Sequence, residues 1–410
     1  MTALPQILDP HPAATAWAVR AGRQPFNTPA ADDVTFDLEQ AQPDPDTYPL
    51  NDFLKVSQTL IERDGPTVFD YFDPKEGYPE LALGNKRLRE QIAMYMERRD
   101  GRPVDADGVV LAQGSAQAVS LAMHAYLEPG DGVVAESATF LYALRFMEAA
   151  GAEIQRVSVD RDGIHPDEVE AVFRDMKARG IRPKMIYTIA NYHVPTAALL
   201  SADRREALLD LASRWGVVIV EDNVYGELRF DGEAPATMLS QCAEDNVIQV
   251  GSFSKPLCPG LRVGWMAGSP RAIAPLAAVR EDLGVSQWNS RILAEYLEEG
   301  AYEPHIARVM QFYRTKRDEV TKQLQEHVSE YATFEPPRGS FFYWLRLHPG
   351  ISHERVRAEA RKRGIHCTPG ERLMVDPTGG EYLRLAFSKA PLAELTRGVA
   401  ALGEAFRAAE

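Results

Sequence analysis

Three short stretches carry residues able to do chemistry, and each follows an apolar run. Ser252-Phe253-Ser254-Lys255 comes after VIQVG and leads into Pro256, Pro259, Gly260 and Arg262. A lysine at the end of a buried strand is desolvated, which lowers its pKa and makes it a nucleophile able to form a Schiff base. An arginine seven positions on offers a planar fork for an anion. Asp222 follows VVIVE, with Tyr225 three residues later. A carboxylate there is costly unless paired, and a protonated ring nitrogen is a suitable partner; a helix N-cap at the strand end is the plainer alternative. Gly114-Ser115-Ala116-Gln117 follows VVLAQ and opens a helical run. Small residues at a helix start leave backbone N–H groups free to cradle a phosphate, unless Ser115 simply caps the helix.

These stretches need a scaffold that buries strands and exposes their ends. LREQIAMYMERR (88–99) is amphipathic, GVVLAQG (108–114) reads as a strand, and SAQAVSLAMHAYL (115–127) as a mostly buried helix. GDGVVAES (130–137) and AEIQRVSV (152–159) read as strands around a helix at 139–151. KMIYTIA, VVIVEDN and NVIQVGSFS continue the alternation. Such strand–helix repeats imply a mostly parallel sheet with helices on both faces, and ligands then lie beyond the carboxyl ends of the strands. A long helix (roughly 302–329), FFYWLRL and YLRLAFS suggest a smaller α+β lobe. The expected division is an N-terminal arm or part of the small domain (1–50), a large α/β domain (51–300) and a small C-terminal domain (301–410).

Composition narrows the partners. The 410 residues hold 45 Lys plus Arg against 59 Asp plus Glu, a formal net charge of −14. That surface repels nucleic acid and anionic lipid, so a bound phosphate needs a local pocket. Cys242, Cys258 and Cys367 show no metal-ligand spacing, so no metal is expected and a reducing cytoplasm is. The first residues read as no signal peptide, and no apolar run approaches the roughly 18 residues of a membrane span.

With these motifs in order, the chain resembles the fold-type-I pyridoxal-phosphate enzymes, specifically the class I/II aminotransferases of the aminoadipate and aromatic branch. The likeness rests on GSFSKPLCPGLRVGW (251–265), supported by AQGSAQA, ESATF, EDNVYGEL, PPRGSFFYWL and YLRLAFS. It covers roughly residues 35–405. The resemblance implies pyridoxal 5'-phosphate as cofactor, linked to Lys255, which then moves the substrate's proton. It implies that Asp222 keeps the pyridine nitrogen protonated, that Tyr225 hydrogen-bonds O3′, and that Phe140 stacks on the ring. Ser115, Ala116, Gln117, Ser252 and Arg262 would hold the phosphate, with Tyr71 reaching the neighbouring subunit's phosphate in a homodimer. Arg384 would bind the substrate α-carboxylate, where the plainer alternative is a surface arginine on an edge strand.

Several residues depart from the family pattern. The family usually reads N-P-T-G where this chain has Asn191-Tyr192-His193-Val194-Pro195-Thr196-Ala197. Val194 stands in the place of an asparagine that donates to O3′, and valine donates nothing. His193 is adjacent, but neighbours on an extended segment point opposite ways, so its help would need an irregular turn. Ala41 replaces a glycine of the arm over the substrate, and Tyr78 rivals Tyr71 for the intersubunit role. The main expectation is an aminotransferase acting on an L-amino acid. The alternative is a specialised enzyme that diverts the same chemistry to elimination, ring closure, decarboxylation or oxidation. A third reading, the effector domain of a transcription regulator, fits poorly, because the first 50 residues hold only two arginines and no lysine. Arg20, Arg23, Trp17, Tyr71 and Trp288 could line the side-chain pocket, with packing the favoured reading.

Overall fold

The apolar runs become strands because their side chains are covered on both faces. In the computed structural model, which describes residues 13–21, 34–73, 75–233, 235–374 and 382–410, seven strands form the large sheet. They are β1 (Val109–Ala112), β2 (Gly132–Glu136), β3 (Glu153–Val157), β4 (Pro183–Thr188), β5 (Val218–Asp222), β6 (Val247–Ser252) and β7 (Gly264–Ala267). Their order is β1-β7-β6-β5-β4-β2-β3, with only β7 antiparallel to its neighbours. Alternate residues serve opposite layers. Val133 and Ala135 pack with helices Ser115–Tyr126 and Leu141–Ala150, while Val134 packs with Pro166–Ala178 and Ala202–Trp215. Each fully buried aliphatic side chain contributes about 1.5–3 kcal/mol, so this alternation fixes the register.

A second, antiparallel sheet lies C-terminal to the first in sequence. It comprises β8 (Ala332–Thr333), β9 (Phe342–Leu347), β10 (Thr368–Pro369) and β11 (Tyr382–Ala386), in the order β8-β9-β11-β10. Helices Tyr302–His327, His353–Lys362 and Leu392–Ala408 accompany it. The segment around Phe36 joins this part: Phe36 and Asp37 pair with Ile365 and His366, and Leu38 O accepts from Ala386 N at 2.8 Å.

The sequence reading differs from the structure in detail. AEIQRVSV is not one strand: β3 ends at Val157, and Val159–Asp160 turns into a hairpin with Gly163–Ile164. Strand β7 carried no alternation to announce it, since GWMA is apolar throughout and follows a turn-rich stretch.

Candidate active site

Strand β6 ends at Ser252, and the turn after it carries Lys255 inward. Lys255 Nζ lies 5.6 Å from the centre of the Tyr225 ring and donates to the Ala41 carbonyl at 2.7 Å. Burial, with Arg384 and Arg262 adding positive potential, lowers its pKa to about 8, and Asp222 opposes the fall. The amine is therefore uncharged to about a tenth at pH 7, far more than an ordinary lysine, as a nucleophile requires.

Asp222 is the last residue of β5 and is almost wholly buried. Burial raises its pKa to about 6, while hydrogen bonds from the Tyr187 hydroxyl (2.7 Å to Oδ2) and the Val224 amide (3.2 Å to Oδ1) restrain the rise. The Val224 contact closes a turn at the strand end, where no helix begins, so Asp222 is not a helix N-cap, and the Tyr187 bond and the nearby Lys255 go beyond such a turn. Tyr225, on the turn after β5, packs edge-to-face against Phe341 and Phe342, and burial raises its pKa. Lys255, Tyr225 and Asp222 are thus brought together. Tyr187 was missed in the sequence because a tyrosine within KMIYTIA looks like core, and only the strand order puts it beside Asp222.

The Gly114–Gln117 turn meets Arg262. Gly114, at φ 79, is the N-cap of helix Ser115–Tyr126, and no side chain caps it. Ser115 is therefore the first helical residue rather than the cap, and the first N–H groups of the helix lack intrahelical partners. Arg262, itself left-handed at φ 53, sends Nη2 to the Gln113 carbonyl at 3.1 Å. A Cβ on Gly114 would lie 2.8 Å from that Nη2 and push the guanidinium from this position, and the left-handed φ itself favours glycine. Gln117 Oε1 accepts from Gln113 N at 2.7 Å, and its amide donates to Asp282. Ser252 is buried, and its hydroxyl accepts from Ser254 N at 3.1 Å.

Arg384 lies on β11 opposite Trp344 of β9 and Thr368 of β10, on a central strand rather than an edge. Its guanidinium sits 4.8 Å from the Phe342 ring centre, and Nη2 donates to the Glu39 carbonyl (2.6 Å) and Thr368 Oγ1 (2.8 Å). Among the described residues its buried Nε has no hydrogen-bond partner. Burial lowers its pKa, with Tyr225 and Glu39 opposing. The arm segment Glu39–Ala41 thus touches Arg384 and Lys255 through two carbonyls two residues apart.

The Asn191–Ala197 loop is irregular. Tyr192 (φ 54) and Ala197 (φ 58) are left-handed, and the Val194–Pro195 bond is cis. An alanine in that region carries about 1–2 kcal/mol of strain, which a glycine would not. Val194 is only 6% exposed, and its side chain offers no donor. His193 Nδ1 lies 2.8 Å from Thr196 Oγ1, with Nε2 3.9 Å from Glu136 Oε1. Burial lowers the His193 pKa to about 3 and raises that of Glu136 to about 7. Buried Arg205, another residue without a sequence signal, holds the loop through Ala190 O (3.0 Å) and Asn191 Oδ1 (2.6 Å).

Phe140 is the N-cap of helix Leu141–Ala150, its ring 5.2 Å from that of Tyr142. Tyr71 and Tyr78 are 75% and 77% exposed. Trp288 stacks on Phe69 at 5.3 Å, Trp17 leans on His124 at 5.6 Å, and Arg20 Nε donates to Ala149 O at 3.0 Å. Arg23 lies outside the described residues.

Comparison with known proteins agrees with this arrangement. An HTH-type transcriptional regulator of Bacillus subtilis is 31% identical over 85% of this chain and 68% of its own. Aromatic-amino-acid aminotransferase 1 of Thermococcus litoralis is 30% identical over 89% of this chain and 86% of its own. The structure of Pyrococcus horikoshii kynurenine aminotransferase in complex with PMP superposes with a TM-score of 0.86, at 28% identity and 92% coverage of both chains. Residues 49–402 match the family described as aminotransferase class I and II. That span runs from the helix beginning at Leu50 through both sheets, and the chain belongs to the class I and II aminotransferase family.

Proposed function

We propose that the chain moves the α-amino group of an L-amino acid to a 2-oxo acid, using pyridoxal 5'-phosphate held at Lys255. The observation that carries this reading is the convergence of a lysine of lowered pKa, a buried carboxylate and a buried arginine around Tyr225. The residues fit the cofactor. Gly114 leaves room beside Arg262, uncapped N–H groups begin the helix at Ser115, and among the described residues Asp222 has no cationic hydrogen-bond partner. When bound, the cofactor supplies an electron sink for the pair left at the substrate Cα. Lys255 would be the covalent anchor, and its amine would take the Cα proton. Asp222 holds the proton on the ring nitrogen, Tyr225 donates to O3′, and Phe140 covers one ring face. Ser115, Ala116, Gln117, Ser252 and Arg262 hold the phosphate. The direct test follows ¹⁵N from an L-amino acid into the product of an added 2-oxo acid; its release as ammonia would contradict the proposal.

Arg384 would hold the α-carboxylate with Nε and an Nη, a two-pronged contact that lysine cannot reproduce. Arg384→Lys is expected to raise KM for the amino acid about 10–100-fold, the equivalent of one lost charge-assisted hydrogen bond, with a smaller change in kcat. Steady-state kinetics check this, and an unchanged KM would place the carboxylate elsewhere.

Val194 favours the diverted chemistries as a second reading, because it leaves O3′ one donor short. Val194→Asn should lower the pH at which the bound cofactor's absorbance titrates by about one unit, since a donor stabilises the deprotonated oxygen. An unmoved titration would mean that another donor already serves O3′.

The homodimer belongs to the same proposal. Leu50, Leu54 and Ile61 share one exposed face of helix Leu50–Asp64, and Phe69, Tyr71 and Tyr78 follow it in sequence, all at least half exposed. A patch of this kind marks an interface. Through it Tyr71 would reach the partner's phosphate, with Tyr78 the rival; sedimentation as a fully active monomer would remove that role. We read the division into an arm, a large domain (51–300) and a small domain (301–410) as the frame of the site. Among the described residues no helix is long and apolar enough to cross a membrane, and a cytoplasmic location accords with three free cysteines. Cell fractionation tests that location.

A further inference from the structure

Tyr187 is fully buried on β4, beside β5, and its hydroxyl donates to Asp222 Oδ2 at 2.7 Å. A buried hydroxyl is costly unless bonded, and a phenylalanine would fill the same core volume. The hydroxyl therefore has a reason to be there, and Asp222 is the only hydrogen-bond partner recorded for it among the described residues. The charged groups around it come from three other elements. Asp222 ends β5, Glu136 ends β2 and is itself bonded to Thr188 Oγ1 (2.6 Å) and Ile189 N (3.0 Å), and Lys255, after β6, faces Asp222. Burial first and Asp222 second raise the Tyr187 pKa far above its ordinary value, so the phenol remains a donor at any working pH. An ionised carboxylate has about four acceptor positions. Tyr187 and the Val224 amide take one on each oxygen and so fix the plane of the group.

We infer that Tyr187 is a positioning residue for the reaction: its hydroxyl fixes the orientation and the charge of the carboxylate that partners the cofactor's ring nitrogen. The inference rests on the role proposed above for Asp222. Tyr187→Phe removes one oxygen and keeps the ring. In the cofactor-free protein, the Asp222 carboxyl carbon followed by NMR should titrate about one to two pH units higher, because the ionised form loses a charge-assisted bond. In the holoenzyme the cofactor's absorbance titration should move, and kcat should fall about tenfold, one such unit, with little change in KM. Placing 3-fluorotyrosine, a stronger donor, at position 187 should move the Asp222 midpoint downward, a readout that does not depend on Tyr187→Phe folding well. An Asp222 midpoint unmoved by both changes would overturn the inference and leave Tyr187 as packing. A midpoint that moves without any change in the holoenzyme's spectrum or kcat would overturn the role of Asp222 at the ring nitrogen, and with it the catalytic half of the inference.

Discussion

Lys255→Ala is expected to yield a folded protein that binds the cofactor without a covalent bond and turns over at least 10²–10⁴-fold more slowly, roughly the range for a lost proton-transfer group. The reason lies in the pocket. An ordinary lysine of pKa 10.5 is unprotonated to about 0.3% at pH 8, whereas one lowered to about 8 is unprotonated to about half. On the proposed roles, the substitution removes that amine both as anchor and as base. Only the tip of the side chain bears a hydrogen bond, to Ala41 O, so the fold should survive. Borohydride reduction followed by intact mass measurement is the check. The parent protein should gain a non-dissociable cofactor and the variant should not. A reducible bond persisting in the variant would assign the anchor to another lysine.

Asp222→Asn should cut kcat/KM by about 10²–10³-fold, the usual loss when one preorganised electrostatic partner is removed. Its effect on the cofactor-free protein should have the opposite sign. The folded-state pKa of Asp222 is raised to about 6 from 3.8, so the contribution of this group is most favourable below pH 4 and is lost as pH rises towards 6. Two units correspond to about 3 kcal/mol. The variant, which has no charge to bury, should therefore outlast the parent in denaturant above pH 6 and lose that advantage near pH 4. Denaturation midpoints at pH 4 and pH 8, with and without cofactor, decide this. A variant less stable than the parent at pH 8 without cofactor would mean that the ionised carboxylate is already well compensated.

Much of the site was legible because its residues follow buried strands. Lys255, Asp222 and Ser115 each stand one to four positions past an apolar run, and strand ends converge whenever a sheet is parallel. Arg384 was legible only through the motif around it, since its partners Glu39, Phe342 and Thr368 come from three separate parts of the chain. Tyr187 and Arg205 were not legible. Each sits within an element that reads as core or as an ordinary amphipathic helix, and each acquires its partners from the order of strands and the course of the Asn191–Ala197 loop. The arm is similar: Ala41 and Glu39 act through backbone carbonyls, which no side-chain pattern reveals. Val194 shows the limit in the other direction. The missing donor is plain from residue type, but the fate of His193 depended on a loop with two left-handed residues.

Amino transfer leaves the cofactor in its amine form after half a cycle, and elimination or oxidation does not. Stopped-flow absorbance of the holoenzyme mixed with single L-amino acids, with mass spectrometry of the products, therefore tests the central claim most directly. The account predicts conversion of the bound cofactor to its amine form with one equivalent of 2-oxo acid released, reversed on adding a 2-oxo acid. Regeneration of the starting spectrum with ammonia or a cleaved side chain released, and no amine form, would contradict it.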